Sequence, residues 1–521
     1  MIDKIGIKKL RALWDTGMID IKPLTVAVGK NSCGKSTWLR TFPLLEQTFD
    51  NNTSEPILWF ERSLVDFGSF EESFSKFAKT SDSQSQSIDF SFNISFNRII
   101  GLEQYWPWIV EKESIDKVST LEITKCVGKD KLLSQKIDIF GYDINIDFID
   151  SKININVDSE ERIFEFSRRD NRDFFIHPLI MQDVNKENRI PLKNFALVKL
   201  YDFVKQNVDK RIQNENISKE IAHLILSDKS SFKEQLEKRI QLTSMVSFKK
   251  FYTKLLESEE FLNEFLSLLI LSTIDKINNV ERDELRGFYN NVNYIAPVRA
   301  SAERYYRQQG LSVEKIDSQG VNVPLFLFDL KKRSKKQYND WQEWTKKYFH
   351  LKFDVVANNG HVSLFFLDDE SDSKYNLSDT GFGFSQILPI LLTLWRSTSP
   401  NQNGKRNPFF RKAPSVIVVE QPELHLHPAM QAQLIRAFLD VVEYSKSKSL
   451  DIRIIIETHS ETIIKVLGRY LSFKDNDLHK DVNILVFDSE NPEKSNVTVS
   501  SFGKDGFLEN WPYGFFDADL D

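Results

Sequence analysis

Lys35 and Ser36 close a glycine-bounded stretch, Gly29-Lys30-Asn31-Ser32-Cys33-Gly34-Lys35-Ser36, which Thr37 follows. Residues of these types at this spacing do phosphate chemistry. Gly29 and Gly34 let a backbone curl around an anion, and loop amides with a helix start supply partial positive charge. Asn31, Ser32 and Cys33 line the loop between them. The Lys35 ammonium can reach β- and γ-phosphates, and the Ser36 hydroxyl can coordinate magnesium. For Cys33 two readings stand: an oxidisable thiol, or simply a small side chain.

A second group lies several hundred residues on, in "VVEQPELHLHP" (Val418 to Pro428). Glu420 ends an apolar run, and a carboxylate there can hold Mg2+ beside Ser36. Gln421 comes next and cannot accept a proton as a base, though it can orient water. Glu423 is a candidate substitute. His425 and His427 invite a zinc reading with Glu423, but zinc needs three or four protein ligands and nothing here completes that set. His459 follows a third apolar run and could contact a γ-phosphate or orient water.

A third group is "LSDTGFGFSQILPILLTLW". Gly383 and Ser385 precede an apolar helix, with Ser385 as its cap and Gln386 in its first turn. This second anion-directed helix start suggests a composite site completed by another subunit.

These groups require particular elements. Leu24 to Val28 reads as a buried strand and Thr37 to Leu45 as the helix after the loop. Ser415 to Val419 and Ile452 to Ile456 read as central parallel strands, with a helix over Met430 to Tyr444 between them. Glu420 and His459 then fall at strand C-termini, where ligands collect in open α/β sheets. Val482 to Phe487 adds a strand, and Asp488 after it is a single acid. Between the first two groups, "SIDFSFNISF", "YDINIDFI", "KININ" and "RIFEFS" alternate as an antiparallel meander. Leu192 to Arg286, without Pro or Gly, is helical, either a partner-binding arm or an internal packing domain. Leu351 to Leu367 reads as a hairpin turning at Asn359-Gly360. Arg299 and Arg304, and the cluster Lys331 to Lys336, either approach phosphate or nucleic acid or are solvated. The organisation is then three segments: 1–190 with the phosphate loop and antiparallel region, 191–290 helical, and 291–521 with the remaining motifs.

The 521 residues exceed one ordinary core. Hydrophobic residues are 41% and charged residues 28%, the balance of a soluble folded protein. The formal charge of -6, from 69 basic and 75 acidic residues, argues against a protein that simply coats DNA. Cys33 and Cys126 make neither a disulfide scaffold nor a zinc cluster. With no signal peptide pattern and no run of about 18 apolar residues, the expected compartment is the cytoplasm, with no membrane partner.

The chain resembles the ATP-binding-cassette class of ATPases in its RecF/SMC/overcoming-lysogenization-defect branch. The resemblance rests on Gly29 to Thr37, Asp379 to Gln386, Glu420 to Pro428 and Thr458 to Glu461, in that order, with "VDFGSF" (Val65 to Phe70), "IAPVR" (Ile295 to Arg299) and "WPYGFFD" (Trp511 to Asp517). It implies an α/β, P-loop ATPase head with an antiparallel β subdomain and a helical insertion, taking ATP and Mg2+. Glu420 would be the Walker B acid, Gly383 and Ser385 the signature contacts across a head homodimer, and His459 the switch histidine. The usual pattern puts glutamate where Gln421 stands, so the expected hydrolysis is slow. Nucleases of the lysogenization-defect type append a Toprim domain, for which the residues after His459 are too few. The resemblance therefore leads to the expectation of an antiphage sensor or clamp, like the Septu, retron-associated and PARIS ATPases, controlling a separately encoded nuclease or toxin effector. Direct nucleic-acid contact is a further expectation. The alternatives are a DNA repair or recombination ATPase resembling RecF, or an ATP-dependent scaffold that does not hydrolyse.

Overall fold

The computed structural model describes the chain apart from residues 52, 82–85, 102–117, 159, 167–172, 176–179, 183–188, 309–312, 314, 369–372, 400–413, 474–476, 492–493 and 512–521. Most of "WPYGFFD" and part of the "SDSQSQS" loop lie outside the described residues. By compactness the chain divides in two: residues 1–8, 52–57 and 83–286, and residues 9–51, 58–82 and 287–521. These boundaries differ from the three sequence segments, because the meander and the helical region share one unit.

The second unit carries the motif residues on a parallel sheet. Its strand order is Val482–Asn491, Leu24–Gly29, Ile452–Glu457, Ser415–Glu420, Val292–Ile295. All five run parallel, and the three central ones are almost wholly buried. This explains their unbroken Val/Ile runs: a strand covered on both faces has no polar side to present. Lys494–Phe502 returns antiparallel beside Val482–Asn491. The helices Lys35–Asp50, Phe382–Thr398, Pro428–Ser447 and Glu461–Ser472 belong to the same unit. Trp341, Trp395, Phe438 and Leu391 lie in its core.

The Leu351–Asn358 and His361–Asp368 strands form the expected hairpin. Asn359 and Gly360 both take positive φ, 50° and 80°, as a two-residue turn of this hand requires. Lys331, Lys332 and Arg333 end the Val323–Arg333 helix, where cations face the negative end of its dipole. Lys331 also pairs with Asp354 at 2.6 Å.

In the first unit, successive antiparallel strands run from Ile88–Phe96 through Ser119–Val127, Leu132–Ile139, Tyr142–Asp147 and Lys152–Val157 to Glu160–Glu165. The helices Leu192–Asn207, Asn214–Ala222, Lys229–Leu242 and Val246–Glu257 lead to the 31-residue helix Glu259–Tyr289. Leu262, Phe265, Leu266, Leu269, Ile270, Ile274 and Ile277 of that helix are fully buried, which favours the packing role over a free arm. Glu281 meets the buried Lys125 ammonium at 2.7 Å, fastening helix to meander. Such a pair is costly to break from one side, because the partner would remain as a buried lone charge.

Candidate nucleotide site

Gly29 ends its strand and Gly34 caps the helix beginning at Lys35, with φ of 87°. A Cβ on Gly29 would stand 2.3 Å from the Phe487 carbonyl oxygen, so the neighbouring strand itself demands glycine. Lys30, Asn31 and Ser32 are exposed between the two glycines. Lys35 is 3% exposed, and its ammonium donates to the carbonyls of Gly29, at 2.9 Å, and Lys30. Burial lowers its pKa, opposed mainly by Glu457. Cys33 is buried, and that burial raises its thiol pKa, which favours the small-side-chain reading over a reactive thiolate. Thr37 follows in the first helical turn.

The strand-end acids are arranged unexpectedly. Glu420 and Glu457 are register partners on adjacent parallel strands, and Glu457 in turn pairs with Ala27 of the phosphate-loop strand. The Ser36 hydroxyl donates to Glu457 Oε1 at 2.9 Å, not to Glu420. Glu420 receives Arg40 instead, Nε on Oε1 and Nη2 on Oε2, both at 2.8 Å. The Tyr294 hydroxyl adds a third bond to Glu420 Oε1 at 2.7 Å. Glu457 Oε2 is buried and without a hydrogen-bond partner. Burial, followed by the charge of Glu420, pushes the Glu457 carboxyl up to about 7, against Ser36, Lys35 and Arg40.

The backbone around these acids is tightly fixed. Gln421 sits at φ 44°, and its N–H donates to the Glu457 carbonyl at 2.9 Å. Arg299 is buried, so the solvated reading does not hold for it. Its Nη2 donates to the carbonyls of Glu420 at 2.7 Å and Gln421 at 3.1 Å. Burial lowers its pKa to about 10. Gln386 clasps the Arg299 backbone from both sides, accepting from its N–H and donating to its carbonyl. Glu423 accepts from the His459 N–H at 2.8 Å. Burial, then the charge of Lys35, lowers the His459 imidazole pKa, keeping the ring neutral at pH 7.

Several expectations change. Ser385 does not cap its helix: Gly381 does, because the backbone turns helical at Phe382. The Ser385 hydroxyl bonds back to the Phe382 carbonyl at 2.8 Å. Gly383 lies close to the His425 carbonyl, 3.2 Å from an added Cβ. His427 is the cap of the Pro428–Ser447 helix, its Nδ1 accepting from Ala429, which gives this histidine a structural task. Among the described residues no group of three or more His, Cys, Asp or Glu is placed to hold a metal by itself. Arg304 is exposed and pairs with Asp379.

Arg40, Tyr294, Arg299 and Glu457 complete the site. The usable signal for Glu457 was the parallel between "VIVVE" and "RIIIE", two apolar strands each ending in glutamate. Arg40, five residues after Lys35 on the same helix, carried no comparable signal.

The site fits a nucleoside triphosphate and Mg2+. The loop is glycine-bounded, its lysine is held by backbone carbonyls, and a buried carboxylate oxygen stands unpartnered beside Ser36. A family model described as "AAA ATPase domain" matches residues 1–464. The chain belongs to that family and is a P-loop ATPase with an α/β head of mixed parallel and antiparallel strands and helical insertions. A search of curated proteins finds no match. Solved structures similar to the chain include an SMC head bound to the C-winged helix domain of ScpA, at 10% identity and TM-score 0.39, covering 96% of this chain and 98% of that one. A second is an Smc head with an extended coiled coil, bound to the C-terminal domain of ScpA, from Pyrococcus furiosus, at 11% identity and TM-score 0.35, covering 96% of each chain. A third is the SMC head domain from Thermotoga maritima, at 7% identity and TM-score 0.34, covering 95% of this chain and 98% of that one.

These findings correct the partner expectation. The partner named for two of those heads is ScpA, not a nuclease or toxin effector. The effector expectation rests on the resemblance together with a missing Toprim domain, and a missing domain specifies no partner. Among the described residues, no helix is long and apolar enough to cross a membrane.

Proposed function

We propose that the chain is an ATP-dependent switch with slow turnover, in which the bound nucleotide's lifetime matters more than the rate of hydrolysis. The phosphate loop carries this reading. Gly29 to Thr37 would cradle the phosphates through backbone amides, with Lys35 offering charge to the β- and γ-phosphates. Ser36 and a strand-end carboxylate would hold Mg2+, whose contribution is to screen phosphate charge. Gln421 would position water but leave its proton without a strong acceptor. Glu423 would hold the His459 backbone, and Gln386 would hold Arg299, which in turn fixes the Glu420–Gln421 peptide. Gly383 and Ser385 would present their helix start as a second anion-directed surface.

Of the cellular roles, a DNA repair or recombination ATPase is the reading we carry forward, supported by the motif order shared with the RecF/SMC branch. An ATP-binding scaffold without turnover is second, supported by Gln421. The antiphage role required an effector partner and is set aside with it. Measuring ATP turnover with and without duplex, gapped and single-stranded DNA tests the choice. DNA-stimulated turnover that disappears in Lys35→Ala supports the repair reading. ATP binding with no turnover under any of these conditions supports the scaffold. Turnover equal in wild type and Lys35→Ala removes the phosphate loop from the reaction.

A further inference from the structure

The two strand-end glutamates are chemically unequal although they sit side by side in register. Glu420 is 2% exposed and fully engaged: Arg40 covers both carboxylate oxygens and Tyr294 adds to one of them. A cation approaching Glu420 must displace a bidentate guanidinium, the strongest of the ordinary pairings for a carboxylate. It would also bring its charge against that of Arg40. Glu457 is 1% exposed and only half used, since Oε1 takes the Ser36 hydroxyl and Oε2 takes nothing. A buried carboxylate oxygen without a partner costs stability, so its persistence needs an explanation. Glu457 also stands one strand nearer the phosphate loop, paired with Ala27.

We propose that Glu457, with Ser36, is the protein's principal acid for the divalent cation that accompanies ATP, and that Arg40 reserves Glu420 as a positioning acid. Magnesium is usually bound by one or two carboxylates and substrate phosphates, so a single protein acid and a hydroxyl suffice. In this arrangement Glu420 holds Arg40 and Tyr294 in place. Both of its oxygens are already taken by Arg40, whereas Glu457 keeps Oε2 open to a cation.

The inference rests on the ATP reading above, and the test separates the two. The full-length protein is titrated with a fluorescent ATP analogue, in EDTA and then in Mg2+. Mn2+ replaces Mg2+ for electron paramagnetic resonance of the bound ion. Wild type should bind the analogue in EDTA and more tightly in Mg2+. Glu457→Gln should lose about 10-fold or more of metal affinity, while its affinity in EDTA stays near wild type, which also reports that the loop is folded. Glu420→Gln leaves the half-buried Arg40 without its counter-charge, so the informative comparison adds the double variant Arg40→Gln with Glu420→Gln. That double variant should keep most of the Mg2+ gain and the Mn2+ signal. Full metal gain in Glu457→Gln, or its loss in the double variant, overturns the assignment of Glu457 while leaving the ATP reading intact. Absence of analogue binding by folded wild type in both EDTA and Mg2+ overturns the ATP reading, and the cation assignment falls with it.

Discussion

The Glu423 carboxylate accepts the backbone N–H of His459 at 2.8 Å. This bond ties the loop after one central strand to the loop after its neighbour. It engages one oxygen, Oε1, of the candidate substitute base that follows Gln421, and turns that oxygen toward holding a loop.

A positioning role for Glu423 separates two substitutions. Glu423→Gln keeps an oxygen for the His459 N–H, whereas Glu423→Ala removes it. Turnover should fall about 10-fold further in the alanine variant than in the glutamine variant. General base catalysis is worth about 100-fold or more. Equal losses of that size in both variants would make Glu423 the base.

Burial raises the Glu423 carboxyl above its ordinary value of 4.5, against the hydrogen bond from His459. Folded protein therefore holds that proton more tightly than unfolded chain. The contribution to stability is complete below about pH 4.5 and is lost as pH rises through the folded value. Glu423→Gln cannot ionise. Its melting temperature, relative to wild type without nucleotide, should rise between pH 5 and pH 8. A difference that does not change with pH contradicts this account.

Gly29→Ala forces a methyl group against the Phe487 carbonyl. Overpacking of this kind costs about 1–3 kcal/mol. Denaturant unfolding should show that loss, together with weakened ATP binding, since the collision lies at the mouth of the loop. Unchanged stability would mean that the two strands separate there at little cost.

Much of the parallel sheet was legible because a covered strand must be apolar throughout. Leu24–Gly29, Ser415–Glu420 and Ile452–Glu457 declared themselves in this way. The phosphate loop was legible because its chemistry is local, with Gly34 and Lys35 adjacent. The Ser36–Glu457 and Arg40–Glu420 pairings were not, because they depend on which strands become neighbours. Glu457 lies next to the phosphate-loop strand only because Ile452–Glu457 inserts between it and Ser415–Glu420. The cap at Gly381 rather than Ser385 is a smaller case: the Gly-Phe-Gly-Phe stretch already turns helical at Phe382, which leaves Ser385 inside the first turn.

Gln421 offers the most direct measurement. Its peptide is held at both ends, by the Glu457 carbonyl and by Arg299, so a new side chain leaves the backbone where it is. The central claim is that this residue makes a competent ATP site slow. Steady-state ATP turnover should be compared in wild type and Gln421→Glu, at saturating ATP and Mg2+, with Lys35→Ala as the background. The account predicts slow wild-type turnover that Gln421→Glu raises by about 10-fold or more, with both above Lys35→Ala. Rapid wild-type turnover, or no gain in Gln421→Glu with ATP binding intact, would contradict it.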